Sequence, residues 1–537
     1  MRSLLVPSLL LSAALGLGGC ATTTSTAAPS PAPATAAPPQ AQAPAAPPAA
    51  PTTVPAVPLQ QPAPLQLVVQ AQPQSPIVSF RLVFHSGSVD DPPGKEGLTS
   101  LTADVLSEGG TQSLTSAQLL EALFPMAAQL GATVDKEFTV FTGRVHKDHL
   151  ARFLDIFTDV LLHPRLSPQE FERLRTRALT DVKNGLRSED DELLGKVALD
   201  ALLFPNHPYG HYVGGTVQGL TSLSLEEVKA HAARVFTQDR LVIGLAGPVD
   251  EALQQTVLSR LRTLPATGAP RVTLPPVPTP GGRTLVVQKP TLSTGVSLGY
   301  ATPLRRGDPD FFPVAFALSY LGEHRQLAGV LFNELREKRG LNYGDYAYAE
   351  HFIEQPGSTY NRNNVARTQQ DLSLWIRPVV PANALFATRG LLYYLDRLVQ
   401  RGIPPEKFAL SRGFLLGYTR LWEQTDQRRL GYAIDSLFYG TPSFLENYRA
   451  ALAKMTPEAV QAAVRRQLRP EALNFVFVTQ DAEGLAKQLT QQPPSPITYA
   501  SPKPPELLEE DKAIIALPLP LKPDAVQVVP ASSFMEK

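Results

Sequence analysis

The sequence predicts an α+β protein built from two similar domains, each an antiparallel sheet of several strands covered mainly on one face by helices, the two facing each other across a cavity. Three observations carry this. Short β-branched and aromatic runs bounded by turn residues alternate with long segments of helical apolar period. The order of these segments recurs: Val296 to Tyr300 opens the second half as Val78 to Leu82 opens the first, and Leu473 to Val478, followed by Asp481 and a helical pattern, mirrors Leu241 to Ala246 followed by Asp250. The offsets are similar, 218 from Val78 to Val296 and 232 from Leu241 to Leu473, which suggests two copies of one unit. Between the copies lies GAPRVTLPPVPTPGGR, residues 268–283, whose prolines and glycines mark a linker.

Taken in order, residues 1–20 have a basic residue at Arg2, an apolar stretch from Leu4 to Leu17, and small residues before Cys20, the only cysteine. The ending Leu17-Gly18-Gly19-Cys20 resembles a bacterial lipobox, with cleavage before Cys20 and lipid on its sulfur; the alternative is an ordinary signal peptide cut nearby. Several acyl chains on one residue anchor a protein to a leaflet without a spanning helix. Residues 21–64 contain 13 prolines, and no charge occurs between Arg2 and Arg81. Such a tract cannot bury a core and serves as an extended tether.

The N-terminal domain, 65–267, begins with strands at Leu67 to Val69 and Ile77 to Phe84. A helix follows from about Lys95 to Ser107, then a helix over Ser116 to Leu130, strands at Thr133 to Asp135 and Thr139 to Val145, helices over Leu150 to Leu162 and Pro168 to Leu186, and a strand at Arg240 to Leu245. The C-terminal domain spans 284–490. The proline-rich tail, 491–537, is expected to be ordered only by lying on the domains, with a short helix or strand at Leu507 to Ala516.

Composition narrows the function. Lys plus Arg equals Asp plus Glu at 49 each, which argues against a nucleic-acid role. One cysteine rules out an intrachain disulfide and a thiolate zinc site, so any metal chemistry must use histidine and carboxylates. The pairs His146/His149 and His207/His211 have no glutamate at general-base spacing, and no serine sits in a G-x-S-x-G elbow, so loop or surface roles fit these histidines better. Trp375 and Trp422 sit in apolar periodic surroundings and are expected in the core.

One stretch concentrates chemistry. In LFNELREKRGLNY, Leu331 to Tyr343, apolar residues at 327, 330, 331 and 335 predict a helix that stops at Gly340. Arg336 lies in its last turns and Tyr343 seven residues on, where its phenol can turn back towards the guanidinium. Both are hydrogen-bond donors able to converge on one oxyanion; the alternative is an exposed arginine beside a half-buried tyrosine.

With GLTSLTADVLSEGGT (97–111) and PNHPYGHYVGGT (205–216), this stretch resembles the pitrilysin/insulinase family of zinc metallopeptidases, its processing-peptidase-like branch, from Leu65 to about Val529. The resemblance implies a clamshell fold. Active members carry H-x-x-E-H on the first of these helices, two zinc-binding histidines and a glutamate general base, with a further glutamate ligand on a later helix. The corresponding positions here are Ser100, Ala103, Asp104 and Asp181, so neither imidazole ligand nor general base is present and no metal is expected in this chain. In the family an Arg and a Tyr at the spacing of Arg336 and Tyr343, in the half without zinc, reach the zinc-bound substrate, and an oxyanion donor of this kind is worth roughly 3 to 4 kcal/mol.

The resemblance thus implies a zinc-free subunit of a heterodimeric metallopeptidase, with Arg336 and Tyr343 assisting in trans a partner chain that carries H-x-x-E-H and the zinc. Peptides would be the substrates, held partly by strand addition. The alternative is a catalytically inactive structural or peptide-binding lipoprotein of an envelope complex. An independent enzyme using Asp104 and Asp181 is the least favoured reading. Ala21 after Cys20, rather than aspartate, favours an outer-membrane anchor facing the periplasm.

Overall fold

The computed structural model describes residues 65–189, 191–277, 281–323, 328–355 and 359–537. The predicted signal peptide with Cys20, the tether and Leu327 lie outside them. In the first half, strands β1 (Gln66–Ala71), β2 (Ile77–Phe84), β3 (Gln129–Val134), β4 (Thr139–His146) and β5 (Leu241–Gly247) form a sheet in the order β1-β5-β2-β4-β3. In the second, β6 (Thr284–Gln288), β7 (Thr294–Thr302), β8 (Asp345–Tyr348), β9 (Gln370–Val379), β10 (Asn474–Thr479) and β11 (Val526–Pro530) form the order β11-β6-β10-β7-β9-β8. Without β11 the two orders superimpose strand for strand. The senses agree too: β1 and β6 run parallel to β5 and β10, and the other pairs are antiparallel. The sequence repeat therefore marks β2 with β7 and β5 with β10.

The helices follow the same order. The first half has α1 (Leu98–Glu108), α2 (Ser116–Leu123), α3 (Leu150–Leu162), α4 (Pro168–Asp181), α5 (Asp191–Leu203), α6 (Val217–Ser222), α7 (Leu225–Val235) and α8 (Glu251–Leu261). The second has α9 (Phe311–Gly322), α10 (Ala384–Arg401), α11 (Pro405–Leu421), α12 (Asp426–Phe438), α13 (Phe444–Lys454), α14 (Pro457–Gln467) and α15 (Ala482–Gln491), with α16 (Pro505–Ala516) in the tail. Each half has its own apolar core: Phe80, Phe153 and Phe157 pack as one aromatic cluster in the first, while Leu298, Phe386 and Phe475 are among the buried residues of the second.

The halves exchange helices. Helix α5 packs on β7 and β10 of the second sheet, and α12 packs on β5, β1 and β2 of the first. Gly195 permits the first contact, because a Cβ there would lie 2.8 Å from Ser297 Oγ. In the second contact Ile434 of α12 joins Val83, Val140 and Val242 in one buried cluster. Around these helices the Asp135-Lys136-Glu137 turn is buried against the other half: Arg367 Nε lies 3.3 Å from Asp135 Oδ2, and Glu137 accepts from the Thr368 amide at 2.5 Å and its hydroxyl at 2.7 Å. Gln427 Nε2 donates to the Phe80 and Gly143 carbonyls at 3.2 and 3.0 Å. Uncoupling one member of such a buried charge network costs about 3 to 5 kcal/mol, so the halves of one chain are locked together.

Local departures from the sequence reading have local causes. The helix expected over Ser116 to Leu130 ends at Leu123, because Pro125 enters a 3₁₀ turn and Ala127 adopts φ 46°, so β3 already begins at Gln129. Helix α4 gives way at Val182 to a π-helical stretch, Val182–Glu189. The tail goes beyond lying on the domains: α16 packs on α10, and β11 adds a parallel edge strand to β6.

Candidate functional site

Helix α1 starts where the Asp91 carboxylate receives the amides of Gly97 and Thr99 at 2.8 and 2.7 Å, which satisfies two of the unpaired donors at a helix start. Ser100 is thereby held with its hydroxyl donating to the Val213 carbonyl at 2.7 Å, in the loop after His207 and His211. Ala103 is buried at 1% exposure. Asp104 meets Arg177 of α4: Nη2 donates to Asp104 Oδ2 at 2.9 Å, and Nη1 to Glu108 Oε2 at 2.5 Å. The Glu108 hydrogen bond, followed by the Asp104 charge, raises the Arg177 pKa further. Burial pushes the Asp104 carboxyl up, opposed by Arg177 and reinforced by Glu108 and Asp181. Asp181 is one helical turn beyond Arg177 and exposed. The residues present do not fit zinc. The cation bridging α1 and α4 is a guanidinium, and Ser100 offers a hydroxyl already committed to a carbonyl.

The second predicted site sits in the connection between α9 and β8, the place α2 takes in the first half. The predicted helix is short: Leu331 is helical and Phe332–Glu337 forms a π-helical turn, an irregularity common at functional positions. Gly340 ends it at φ +67°, its amide donating to the Arg336 carbonyl at 2.7 Å. Arg336 stacks between two rings, its Cζ 4.4 Å from the Phe332 centroid and 4.8 Å from that of Tyr343, and its Nη1 lies 3.4 Å from Glu337 Oε1. Tyr343 is 74% exposed. The structure brings Arg336 and Tyr343 together, the tyrosine exposed and the arginine half-buried. Among the described residues no hydrogen bond, ion pair or ring contact joins them to Ser100, Asp104 or Asp181.

What fixes this segment is its neighbour, Arg339. Fully buried, it donates to Asp511 Oδ1 at 2.8 Å and Glu510 Oε2 at 3.0 Å on α16, and to the Tyr394 hydroxyl at 3.0 Å. Asp345, just after Tyr343, is buried with one oxygen accepting from Asn342 at 2.6 Å and the other unpaired; burial pushes its carboxyl up to about 7.

Sequence reasoning missed a cluster made by tertiary folding. Ligand atoms of Asp200, His351 and Asp371 converge within 4.8 Å of one another. Asp200 stands 151 residues before His351 and 171 before Asp371, so no spacing signalled the cluster. The cluster already has cations: Arg367 Nη2 lies 2.8 Å from His351 Nε2 and Nη1 3.5 Å from Asp371, while Lys136 is 3.6 Å from Asp200. It belongs to the network joining the halves. His207, expected in a loop or at the surface, lies in the loop after α5, where it is buried between Phe204 and Tyr209, and burial lowers its pKa to about 4. Trp375 is buried as expected, with Lys196 Nζ 3.5 Å from a ring centroid.

Residues 66–211 match Insulinase (Peptidase family M16), and 222–412 match the Peptidase M16 inactive domain. The chain belongs to peptidase family M16. Ser100, Ala103, Asp104 and Asp181 fall in the first matched segment, Arg336 and Tyr343 in the second. Among M16 relatives, an uncharacterized zinc protease of Mycobacterium bovis is 26% identical over 373 residues, 67% of this chain and 78% of that one. A non-peptidase homolog, YmxG, of Helicobacter pylori is 22% identical over 75% of this chain and 89% of that one. A solved M16 inactive domain from Pseudomonas fluorescens matches with TM-score 0.68 and 20% identity over 77% of this chain and 95% of that one. A chain of Complex III2 from Candida albicans shares the fold at TM-score 0.60, with 13% identity over 77% and 93%. Both matched segments are thus M16 segments, the second of them that of the inactive domain.

Proposed function

We propose that this M16 chain is the zinc-free subunit of a heterodimeric metallopeptidase, and that Arg336 and Tyr343 complete the oxyanion site of a separate H-x-x-E-H subunit in trans. The observation that carries the reading is a contrast within one chain. The α1 to α4 site is closed to metal by the Arg177 bridge, whereas Arg336 and Tyr343 are stacked on one another next to buried Arg339, with Tyr343 exposed. Two such donors need an oxyanion to act on. Chemistry on the zinc of a second chain supplies one, because attack on a peptide carbonyl places negative charge on its oxygen. The locked interface between the halves supports the same reading, since a substrate chamber then has to form between chains.

Anchoring through Cys20 to the outer membrane, facing the periplasm, completes this reading. The second reading is an inactive structural or peptide-binding lipoprotein of an envelope complex, in line with the fold shared with a chain of Complex III2. Affinity purification from detergent-solubilised membranes of the native host separates the two. The first predicts a near-stoichiometric partner carrying H-x-x-E-H; recovery alone, or only with chains lacking that motif, contradicts it.

A further inference from the structure

Helix α11 is apolar on two opposite sides. On one, Phe408 and Leu415 belong to the core of the second half. On the other, Leu410, Phe414 and Leu421 are 67%, 45% and 40% exposed, with Phe414 stacked on Tyr418 at 5.0 Å between ring centres. Spacings of 3, 4 and 7 residues put Gly413 and Gly417 in the same exposed stripe. A helix apolar on both sides is ordinarily covered on both.

Two features say what covers this one. The first is the pair of glycines. Inside a helix glycine is unfavourable, and a Cβ built on Gly413 or Gly417 would meet no atom within 4 Å, so nothing in the chain's own packing asks for them. They leave notches in the stripe, each one turn from an exposed apolar side chain. The second is charge. Glu406 and Arg420 bracket the stripe, both exposed and neither with an ion pair or side-chain hydrogen bond among the described residues. The helix dipole accounts for an acid in the first turn and a base in the last. It does not account for both lying on the apolar side.

The stripe is complementary to itself. Leu410 and Gly417 lie equally far on either side of a point between Gly413 and Phe414, and Glu406 and Arg420 lie equally far to within one residue. A two-fold axis through that point, with the helices antiparallel, sets Leu410 of one copy over Gly417 of the other. It also sets Phe414 against Phe414 and Glu406 beside Arg420. Knob meets notch and acid meets base, each twice, which is what an interface between identical surfaces requires. We propose that α11 docks antiparallel on α11 of a second copy of this chain. The face contains neither Arg336 nor Tyr343, so the inference does not rest on the partner-subunit reading. One helix face buries less than the roughly 800 Å² per partner of a standard interface, and a dissociation constant of about micromolar order is expected.

The test is sedimentation equilibrium of the full chain in a density-matched detergent at low salt. The parent is expected to pass from monomer to dimer with rising concentration. Gly417→Leu fills the notch and is expected to weaken association at least about tenfold, while melting no lower than the parent because leucine is the better helix former. Glu406→Arg and Arg420→Glu are each expected to weaken it severalfold, and an equal mixture of those two variants is expected to associate again, since every reversed charge then meets its opposite. A parent monomeric up to about 1 mM, a dimer indifferent to Gly417→Leu, or a mixture of the charge variants that stays apart overturns the inference. In the first case, loss of H-x-x-E-H subunit binding in Gly417→Leu would assign the face to that subunit instead. Should Gly417→Leu fail to fold, the mixture of charge variants decides.

Discussion

Arg177 holds Asp104 through Nη2 and Glu108 through both Nη1 and Nη2, and that pairing sets how the α1 site responds to change. Rebuilding the family triad by Ser100→His, Ala103→Glu and Asp104→His, with Asp181→Glu, places imidazoles against a resident guanidinium. Zinc content measured by atomic absorption is expected to stay far below one ion per chain, and to approach one only when Arg177→Gln is added. Asp345 gives a second residue-scale prediction. Its carboxyl titrates near 7 when folded and near 4 when unfolded, so the folded state holds the proton more tightly. The stability contributed by this group is therefore greatest below about pH 4, falls as pH rises to about 7, and is level above. Asp345→Asn is expected to flatten that slope and to be more stable than the parent at pH 8 by on the order of 3 kcal/mol, with no difference at pH 4. Urea unfolding across that range measures both. The resemblance pointed to Arg336, Tyr343 and the replaced zinc positions. It could not show Arg177, because an arginine on an amphipathic helix looks alike whether it faces water or a carboxylate across the fold.

The tail is the element whose role the sequence hid most. Its prolines suggested a passive covering, yet α16 supplies Glu510 and Asp511 to buried Arg339, and buried Arg389 donates to the Ile515 carbonyl of α16 and, in the segment before it, to the Pro493 carbonyl and Ser495 hydroxyl at 2.7 to 2.9 Å. Such acceptors come from residues more than 100 apart in sequence, and no periodicity reports them. Arg339→Met leaves Asp511 buried without its cation and is expected to lower stability by about 3 kcal/mol, read as a drop in melting temperature. It is also expected to loosen the neighbouring Arg336 to Tyr343 segment, read as faster amide exchange there than at β7.

At the scale of the molecule, the repeat was legible because alternating strand patterns report burial on a pleated surface, and β2 with β7 and β5 with β10 retain it. The helix exchange of α5 and α12 was not, since it depends on which sheet a helix meets, and amphipathicity does not say. The exchange and the Arg367 to Asp135 network join the two halves, and Arg336 and Tyr343 lie together in the second of them. The role proposed for these two residues is to act on a zinc site in another chain, and peptide turnover in the reconstituted heterodimer with Arg336→Ala and Tyr343→Phe chains measures it. Turnover is expected to fall about 100-fold or more in kcat for Arg336→Ala and clearly for Tyr343→Phe, with the partner bound as tightly as before. Parent-like turnover in both variants would contradict it.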